Sequence, residues 1–404
     1  MTLQAIVTDA SQRQALVAIR DLGRAGIVTG AVDPVEGVPA FASRWCAWSS
    51  TVPDFARDPD AFIDALLDLC AHHGPRALIP CHDGAIEALR SRRDEVERTV
   101  GVALAQEPAL GIAIDKTDTL EAATRLGVRV PRGAIVAARG DADGALEESG
   151  LPAVLKPVRS WVGMRRLSPI VINEREPALN AIEELLDAGT PVAVQEWLPG
   201  AREAVSFVYA RGKVLARFAQ HAQRMYPPLG GSSVLRESIP LPPDAEAAAE
   251  RLVTELDLEG YSEVEFRRDR EGRAVLMEIN PRLSASVEIA VRSGVPFPRL
   301  VYAWAAGEPI EPCNGYRVGM RMRWLGGDIS WLGSALRERG HPDLPGRARA
   351  LRSFAADSLR PAGYDYWDTR DPRPALVRTA NAARTFGRRA ARRIRRGTRP
   401  VPPG

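Results

Sequence analysis

The side chains best placed to do chemistry lie in two short apolar runs, Val264–Glu265–Phe266 and Leu276–Met277–Glu278–Ile279–Asn280–Pro281–Arg282, with Asp269, Glu271 and Gly272 between them. Apolar–polar alternation around turn residues predicts the paired strands of a hairpin. Glu278 and Asn280 are two residues apart, so they share a strand face, and Glu265 projects from the neighbouring strand toward the same point. Oxygen donors converging on a small volume suit a hard cation such as Mg²⁺, which keeps positions for water and for substrate phosphates. Arg282 follows directly, within reach of an anion held by that ion. The bland alternative is a polar strand face on a surface hairpin.

Lysine is scarce. It occurs only at Lys116, Lys156 and Lys213, so almost all of the 54 basic residues are arginine. An ammonium is a compact point-charge partner for phosphate and is not replaced geometrically by a guanidinium. Lys156 ends the apolar run Pro152–Ala153–Val154–Leu155, which predicts an inward-facing strand end. Lys116 opens a helical stretch, Asp115–Leu120. Lys213, after Ala210–Arg211–Gly212, reads as an exposed hairpin turn.

These groups need a scaffold. Leu3–Val7 and Ile27–Ala31 read as strands, Gln12–Ala25 as an amphipathic helix, Asp60–Cys70 as a helix, Ala77–Pro80 as a strand and Gly84–Val96 as a helix. That alternation predicts a parallel α/β domain of about 100 residues. Ligands bind where loops follow strand ends in such sheets, which brings Thr8–Asp9, Asp33 and His82–Asp83 forward, each equally readable as a turn or helix cap. From Pro108 the pattern changes. A helix over Asp115–Leu126 ends at Gly127, and strands follow near Ala134–Ala137, Ala153–Lys156 and Pro169–Ile172. A helix over Pro177–Leu186 leads to strands at Val192–Trp197, Glu203–Tyr209 and Val214–Ala219. Gln220–Val234 reads as a polar, glycine-rich loop, and a helix over Asp244–Leu256 precedes the carboxylate hairpin.

At 404 residues, 45% hydrophobic and 26% charged, the chain has the composition of a globular protein with two or three domains. No basic segment followed by a long apolar run opens it, so no signal peptide is expected. No stretch approaches the roughly 20 apolar residues of a membrane span. Cys46, Cys70, Cys81 and Cys313 lack Cys-x-x-Cys spacing, and the neighbouring His72–His73 lacks zinc-ligand spacing, so neither a disulfide framework nor a zinc site is expected. The cytoplasm is the simplest location. The net charge of +3 is unevenly spread, with Arg384, Arg388, Arg389, Arg392, Arg393, Arg395 and Arg396 crowded near the end. That tail reads either as a solvated segment or as a basic amphipathic helix making weak contact with an anionic membrane. No nucleic-acid-binding module or aromatic platform accompanies the charge, so no nucleic acid partner is expected.

Lys116, Lys156, the Gln195–Glu196–Trp197–Leu198–Pro199–Gly200 segment, Glu203, Glu265 and Glu278–Ile279–Asn280–Pro281–Arg282 resemble the ATP-grasp superfamily in order and spacing. The resemblance covers roughly residues 1–325 and looks closest to predicted carboxylate–amine ligases related to carbamoyl-phosphate synthetase. It implies a parallel α/β pre-ATP-grasp domain over 1–107, followed by a two-lobed α+β ATP-grasp fold. The small lobe would span 108–190 and the large lobe, with the metal site, 191–325. A C-terminal extension with the Arg-rich tail would span 326–404. It also implies that Lys116 and Lys156 contact ATP phosphates, that Glu196 and the backbone at Leu198 read the adenine edge, and that Glu203 holds the ribose. Glu265, Glu278 and Asn280 would carry Mg²⁺ (or Mn²⁺), and Arg282 would steady the transferred phosphate.

One segment departs from the family. A glycine-rich loop often follows the second lysine, but Pro157–Met164 holds one glycine, with Ser160, Arg159 or Arg165 as substitutes for the missing backbone donors. Gln223–Ser233, with Arg224 and two glycines, reads as a substrate loop able to bind a carboxylate or phosphate, or as a plain mobile loop. The implied function is ATP-dependent ligation of a small-molecule carboxylate to an amine through an acyl phosphate, with a homodimer as the expected assembly. A bicarbonate-using or carbamate-forming enzyme is the alternative within enzymes, and a non-catalytic ATP-binding regulator is the alternative outside them.

Overall fold

A computed structural model of the chain describes residues 2–158, 161–162, 165–166, 169–228, 231–338, 341 and 343–397. The chain divides into two compact units, Met1–Val102 with Asp365–Gly404, and Ala103–Tyr364.

In the first unit a parallel sheet forms from β1 (Ala5–Val7), β2 (Thr29–Asp33), β3 (Cys46–Thr51), β4 (Ala77–Ile79) and β5 (Gly101–Val102), in the order β3-β2-β1-β4-β5. β1, β2 and β4 are buried along their whole length, as expected of central parallel strands covered on both faces. The helix Arg13–Arg24 buries Leu16, Val17, Ile19 and Leu22. The helix expected over Gly84–Val96 is broken at Arg92 into Asp83–Ser91 and Arg93–Glu97. The polar residues after the strands serve the loops themselves. Asp33 accepts from the Ser11 and Val35 amides at 2.7 and 2.9 Å, and His82 Nδ1 caps its helix by accepting from the Gly84 amide at 3.0 Å.

The last segment returns to this unit. Arg20 is fully buried, donating to Asp371 Oδ2 at 2.9 Å and to the Tyr366 and Asp371 carbonyls at 3.0 and 2.9 Å. Arg13 pairs with Asp365 at 2.7 Å. The helix Arg373–Gly397 follows, so the backbone of the tail is helical through most of its basic stretch. The stretch 326–404, expected as one extension, is therefore divided, with 326–364 belonging to the second unit and 365–404 to the first. Among the described residues no helix is long and apolar enough to cross a membrane.

The second unit holds two sheets that frame the candidate site. β6 (Gly133–Val136), β7 (Ala153–Pro157), β10 (Ile170–Ile172) and β11 (Val192–Glu196) form an antiparallel sheet in the order β10-β7-β11-β6, covered by the helix Arg175–Asp187. Between β7 and β10 the backbone of β8 (Trp161–Val162) pairs with β9 (Arg165–Arg166) as a short hairpin. The large sheet joins β12 (Arg202–Ala210), β13 (Lys213–Tyr226), β14 (Ser232–Ser238), β15 (Gly260–Arg268), β16 (Ala274–Asn280), β17 (Arg321–Arg323) and β18 (Gly363–Tyr364) in the order β16-β15-β12-β13-β14-β17-β18. The parallel sheet and the mixed α+β unit bear out the expected fold class.

The segment read as a loop, Gln220–Val234, is mostly strand. β13 runs to Tyr226 and pairs with β14 from Ser232. Gly231 is required by the turn itself, because a Cβ there would lie 2.2 Å from the Tyr226 carbonyl carbon.

Candidate active site

The carboxylate hairpin forms as its sequence predicts, with one refinement. Glu265 on β15 lies directly across from Glu278 on β16, and Glu263 lies across from Asn280. An irregularity after Glu265 pairs Phe266 with Leu276, leaving Met277 as the extra residue of a bulge. Strict alternation would put Leu276 and Glu278 on one face. The bulge instead buries Leu276 beside Phe266 while Glu278 stays on the polar face. At the turn, Asp269 Oδ1 accepts from the Arg273 amide at 2.8 Å and Gly272 takes a positive φ of 77°, which fixes the register.

Across β12 the same face continues through Arg202, Ala204 and Ser206, which are paired with Arg267, Glu265 and Glu263. Arg202 donates through Nε to Glu265 Oε2 at 2.8 Å and again through Nη2, which also lies 3.7 Å from Glu278 Oε1. Asn280 Nδ2 donates to Glu265 Oε1 at 3.3 Å. Burial pushes the Glu265 carboxyl up to about 7, with Glu278 and Glu263 adding to the rise and Arg202 opposing it. Burial acts on Glu278 in the same sense, but Arg202, Lys116, Lys156 and Arg282 outweigh it and hold Glu278 below the usual carboxylate value.

Behind this pair is a hydrogen-bonded acid absent from the sequence reading. Glu263 is buried and accepts from Gln220 Nε2 at 2.9 Å and Ser286 Oγ at 3.1 Å, while the Tyr261 hydroxyl shares hydrogen bonds with the Ser206 and Ser284 hydroxyls at 3.2 and 3.1 Å. Ser284 and Ser286 lie just beyond Arg282, so this network anchors the loop that carries it. The two-residue spacing of Glu263 and Glu265 was the available signal.

The three lysines sit as their positions suggest. Lys156 on β7 is half-buried and ringed by protein. Burial pushes its amine down to about 8, with Lys116, Arg202 and Arg267 adding to the fall and Glu278 opposing it. Lys116 is the first residue of the helix Lys116–Arg125, whose N-cap Asp115 accepts from the Thr117 and Asp118 amides at 2.7 and 3.1 Å. Lys213 is exposed in its turn.

Three other expected site residues are already engaged by protein partners. Glu203 points to the opposite face of the large sheet, where Arg268 Nη2 and Nε donate to it at 2.6 and 2.9 Å, so it does not join the Glu265–Glu278 group. The Glu196 carboxylate pairs with Arg132 at 2.9 Å. The Glu196, Trp197 and Gly200 amides already donate to the Arg132, Pro152 and Arg268 carbonyls, so none of the three is left for a purine, while Leu198 is buried beside them. Arg224 is a buried structural group rather than a loop residue. Its guanidinium bonds Asp328 at 3.1 Å and Asp357 at 2.5 Å and lies 4.4 Å from the Trp331 ring centre. Ser160, and the side chains of Arg159 and Arg165, fall outside the described residues.

The donor set fits a hard divalent cation. Mg²⁺ is commonly held by one or two carboxylates together with substrate phosphates rather than by a closed protein cage. Glu265, Glu278 and the Asn280 amide provide that partial set. Among the described residues no group of three or more His, Cys, Asp and Glu side chains forms a fuller cage. Beside Arg202 opens a cavity of about 380 Å³ whose walls include Gly200, His221, Arg267, Asp343 and Arg349.

The small sheet thus carries the half-buried Lys156, and the large sheet carries the opposed carboxylates Glu265 and Glu278. Residues 190–327 match the family described as ATP-grasp in the biosynthetic pathway with Ter operon. D-alanine–D-alanine ligase B of Pseudomonas putida is 26% identical over 211 residues, 48% of this chain and 64% of that protein, so the chain spans less than two thirds of this relative's length. A Stutzerimonas stutzeri D-alanine–D-alanine ligase is 27% identical over 60% of this chain and 80% of its own. Among solved structures, the biotin carboxylase domain of Hydrogenobacter thermophilus 2-oxoglutarate carboxylase, determined with MgADP and bicarbonate, gives a TM-score of 0.65 at 16% identity, covering 80% of this chain and 74% of that one. N5-carboxyaminoimidazole synthetase of Staphylococcus aureus, complexed with ADP, gives 0.62 at 14% identity over 80% and 82%. Residues 190–327 thus match an ATP-grasp family, and the fold is the one these solved structures share.

Proposed function

We propose that the chain is an ATP-dependent carboxylate–amine ligase acting on small molecules. The observation that carries this reading is the opposed pair Glu265–Glu278, with Asn280 beside it and Lys116, Lys156, Arg202 and Arg282 as its cationic surroundings. Lys116 and Lys156 hold the nucleotide phosphates, and buried Leu198 gives the purine an apolar seat at the strand end after Glu196. Glu265, Glu278 and Asn280 hold Mg²⁺ or Mn²⁺. That ion, when bound, offsets charge on the phosphate oxygens as the γ-phosphoryl leaves. Arg282, on the loop anchored through Ser284 and Ser286, steadies the transferred phosphoryl group.

A carboxylate oxygen of the acid substrate attacks the γ-phosphorus, the bond to the β–γ bridging oxygen breaks, and ADP departs. The resulting acyl phosphate is attacked at carbon by the amine. The carbon–oxygen bond to phosphate breaks, inorganic phosphate leaves, and the nitrogen gives up a proton to form the amide. ATP does the activating, so the reaction needs no protein nucleophile. Glu203 and Arg224, committed to Arg268 and to Asp328 with Asp357, have no part in this reading.

The similarity to D-alanine–D-alanine ligases makes α-amino acids the first substrates to test in both roles. Bicarbonate, bound in the biotin carboxylase neighbour, is the second acid to test. A phosphate-release screen over acid–amine pairs, with ADP measured in parallel, tests the proposal. Release that depends on both acid and amine supports it. Release that needs only bicarbonate points to a carboxylase, and tight ATP binding with no release for any pair points to a regulator.

A further inference from the structure

We infer that Arg202 is a resident cation of the metal centre: it occupies Glu265 in the nucleotide-free protein, weakens divalent-ion binding there, and is drawn off when nucleotide phosphates arrive. The inference rests on the ligase reading only in taking Glu265 and Glu278 as the ion's ligands. Three observations carry it. First, the register of β12 against β15 puts Arg202 on the same face as the two carboxylates, whereas its neighbour Glu203 turns away to Arg268. Second, the two carboxylates are unequally engaged. Glu265 accepts from Arg202 on Oε2 and from Asn280 on Oε1, while the nearest Arg202 nitrogen is 3.7 Å from Glu278. The side chain of Glu278 is also the more open, at 35% exposed against 15% for Glu265. Third, Arg202 lines the cavity of about 380 Å³, so its guanidinium has room to swing away without repacking the sheet.

A guanidinium and a divalent ion cannot both take the same face of one carboxylate. Two carboxylates facing each other repel, and an internal cation relieves that repulsion when no divalent ion is bound. Triphosphate offers a guanidinium a new anionic partner with matching fork geometry. Binding of nucleotide and of the ion are therefore coupled through one side chain, and the coupling is reciprocal.

The test uses the full chain and Mn²⁺ alone, with the free ion followed by electron paramagnetic resonance. Arg202→Met, which keeps much of the packed stem, should bind Mn²⁺ about tenfold more tightly than the unsubstituted protein without nucleotide. The gain in Mn²⁺ affinity on adding a non-hydrolysable ATP analogue should shrink by a similar factor. Arg202→Lys keeps a competing charge and should stay close to the unsubstituted protein, and it serves if the methionine variant does not fold. Mn²⁺ binding by Arg202→Met no tighter than by the unsubstituted protein overturns the inference. Glu278→Gln separates this from the ligase reading. If it leaves Mn²⁺ binding unchanged, the metal assignment fails and this inference fails with it. If it weakens binding while Arg202→Met has no effect, only the role of Arg202 is lost.

Discussion

Glu265 and Glu278 stand directly opposite each other on adjacent antiparallel strands, with the Arg202 guanidinium bonded to the first and 3.7 Å from the second. Like charges in opposed positions are destabilising unless something neutralises them. Their placement makes sense as a cost borne for binding a cation and the phosphates it bridges.

Glu278→Gln should abolish ligase turnover and leave the fold intact. The amide keeps the shape of the side chain and removes a charged metal ligand. The surrounding cations hold Glu278 below the usual carboxylate value, so losing its charge should lower the melting temperature modestly while phosphate release falls to background. Near-normal release with substrates present would contradict the metal assignment.

Lys156→Ala should weaken ATP binding by roughly ten- to hundredfold, the loss of a charge-assisted contact worth about 1.5–3 kcal/mol. Lys213→Ala, in its exposed turn, should leave affinity unchanged. Equal affinities for the two variants, measured by calorimetry, would refute the phosphate role of Lys156.

The same lysine predicts a pH dependence. Burial lowers the Lys156 amine to about 8, so its cationic form is lost as pH rises through that value in the free protein. Phosphate bound beside it favours the charged form and raises the value in the complex. Nucleotide Kd should therefore be level below pH 8 and increase as pH climbs above it. Lys156→Met should bind weakly and flatten that rise. A wild-type Kd constant from pH 7 to 9.5 would show that the amine does not serve the nucleotide.

Two truncations should behave differently. Removing 379–404 takes away most of the basic helix but spares Asp365–Asp371, so the chain should fold and turn over soluble substrates normally. If the tail meets an anionic membrane, vesicle binding should disappear with it and should fade with salt in the longer chain, because screening shortens the reach of the charges to about 8 Å. Removing 365–404 leaves Arg20 and Arg13 buried without Asp371 and Asp365. An uncompensated buried charge costs about 3–5 kcal/mol, so this shorter chain should unfold or melt far lower. Equal stability of the two truncations, by thermal melting, would contradict the packing role of 365–371.

Much of the architecture was legible in the sequence. β1, β2 and β4 and the helices beside them follow from apolar runs and helical periodicity, whereas β3 was not expected, and the carboxylate hairpin follows from alternation around Asp269–Gly272. The lysines at 156 and 213 were separated correctly by the apolar run before one and the glycine before the other. The misses share a cause. Which of Arg202 and Glu203 faces the carboxylates depends on the register of β12 against β15, whose paired residues lie more than fifty positions apart in the chain. Gln220–Tyr226 hid its strand because irregularities around Arg224 break the two-residue period. Its polar side chains are spent on internal partners, Gln220 on Glu263 and Arg224 on Asp328. Composition alone cannot separate such a strand from a loop. The return of 365–371 to the first unit depends on contacts more than three hundred residues apart.

The central claim is that the acid is activated by the γ-phosphoryl group. The direct measurement is a hydroxylamine trap: the full chain with Mg²⁺, ATP, hydroxylamine and, in turn, each acid of a panel of α-amino acids and small dicarboxylates, with no other amine. The account predicts that at least one acid gives its hydroxamate in step with ADP and inorganic phosphate, and that Glu278→Gln gives none. Hydroxamate formed in step with AMP and pyrophosphate would contradict it, because the acid would then have attacked the α-phosphorus.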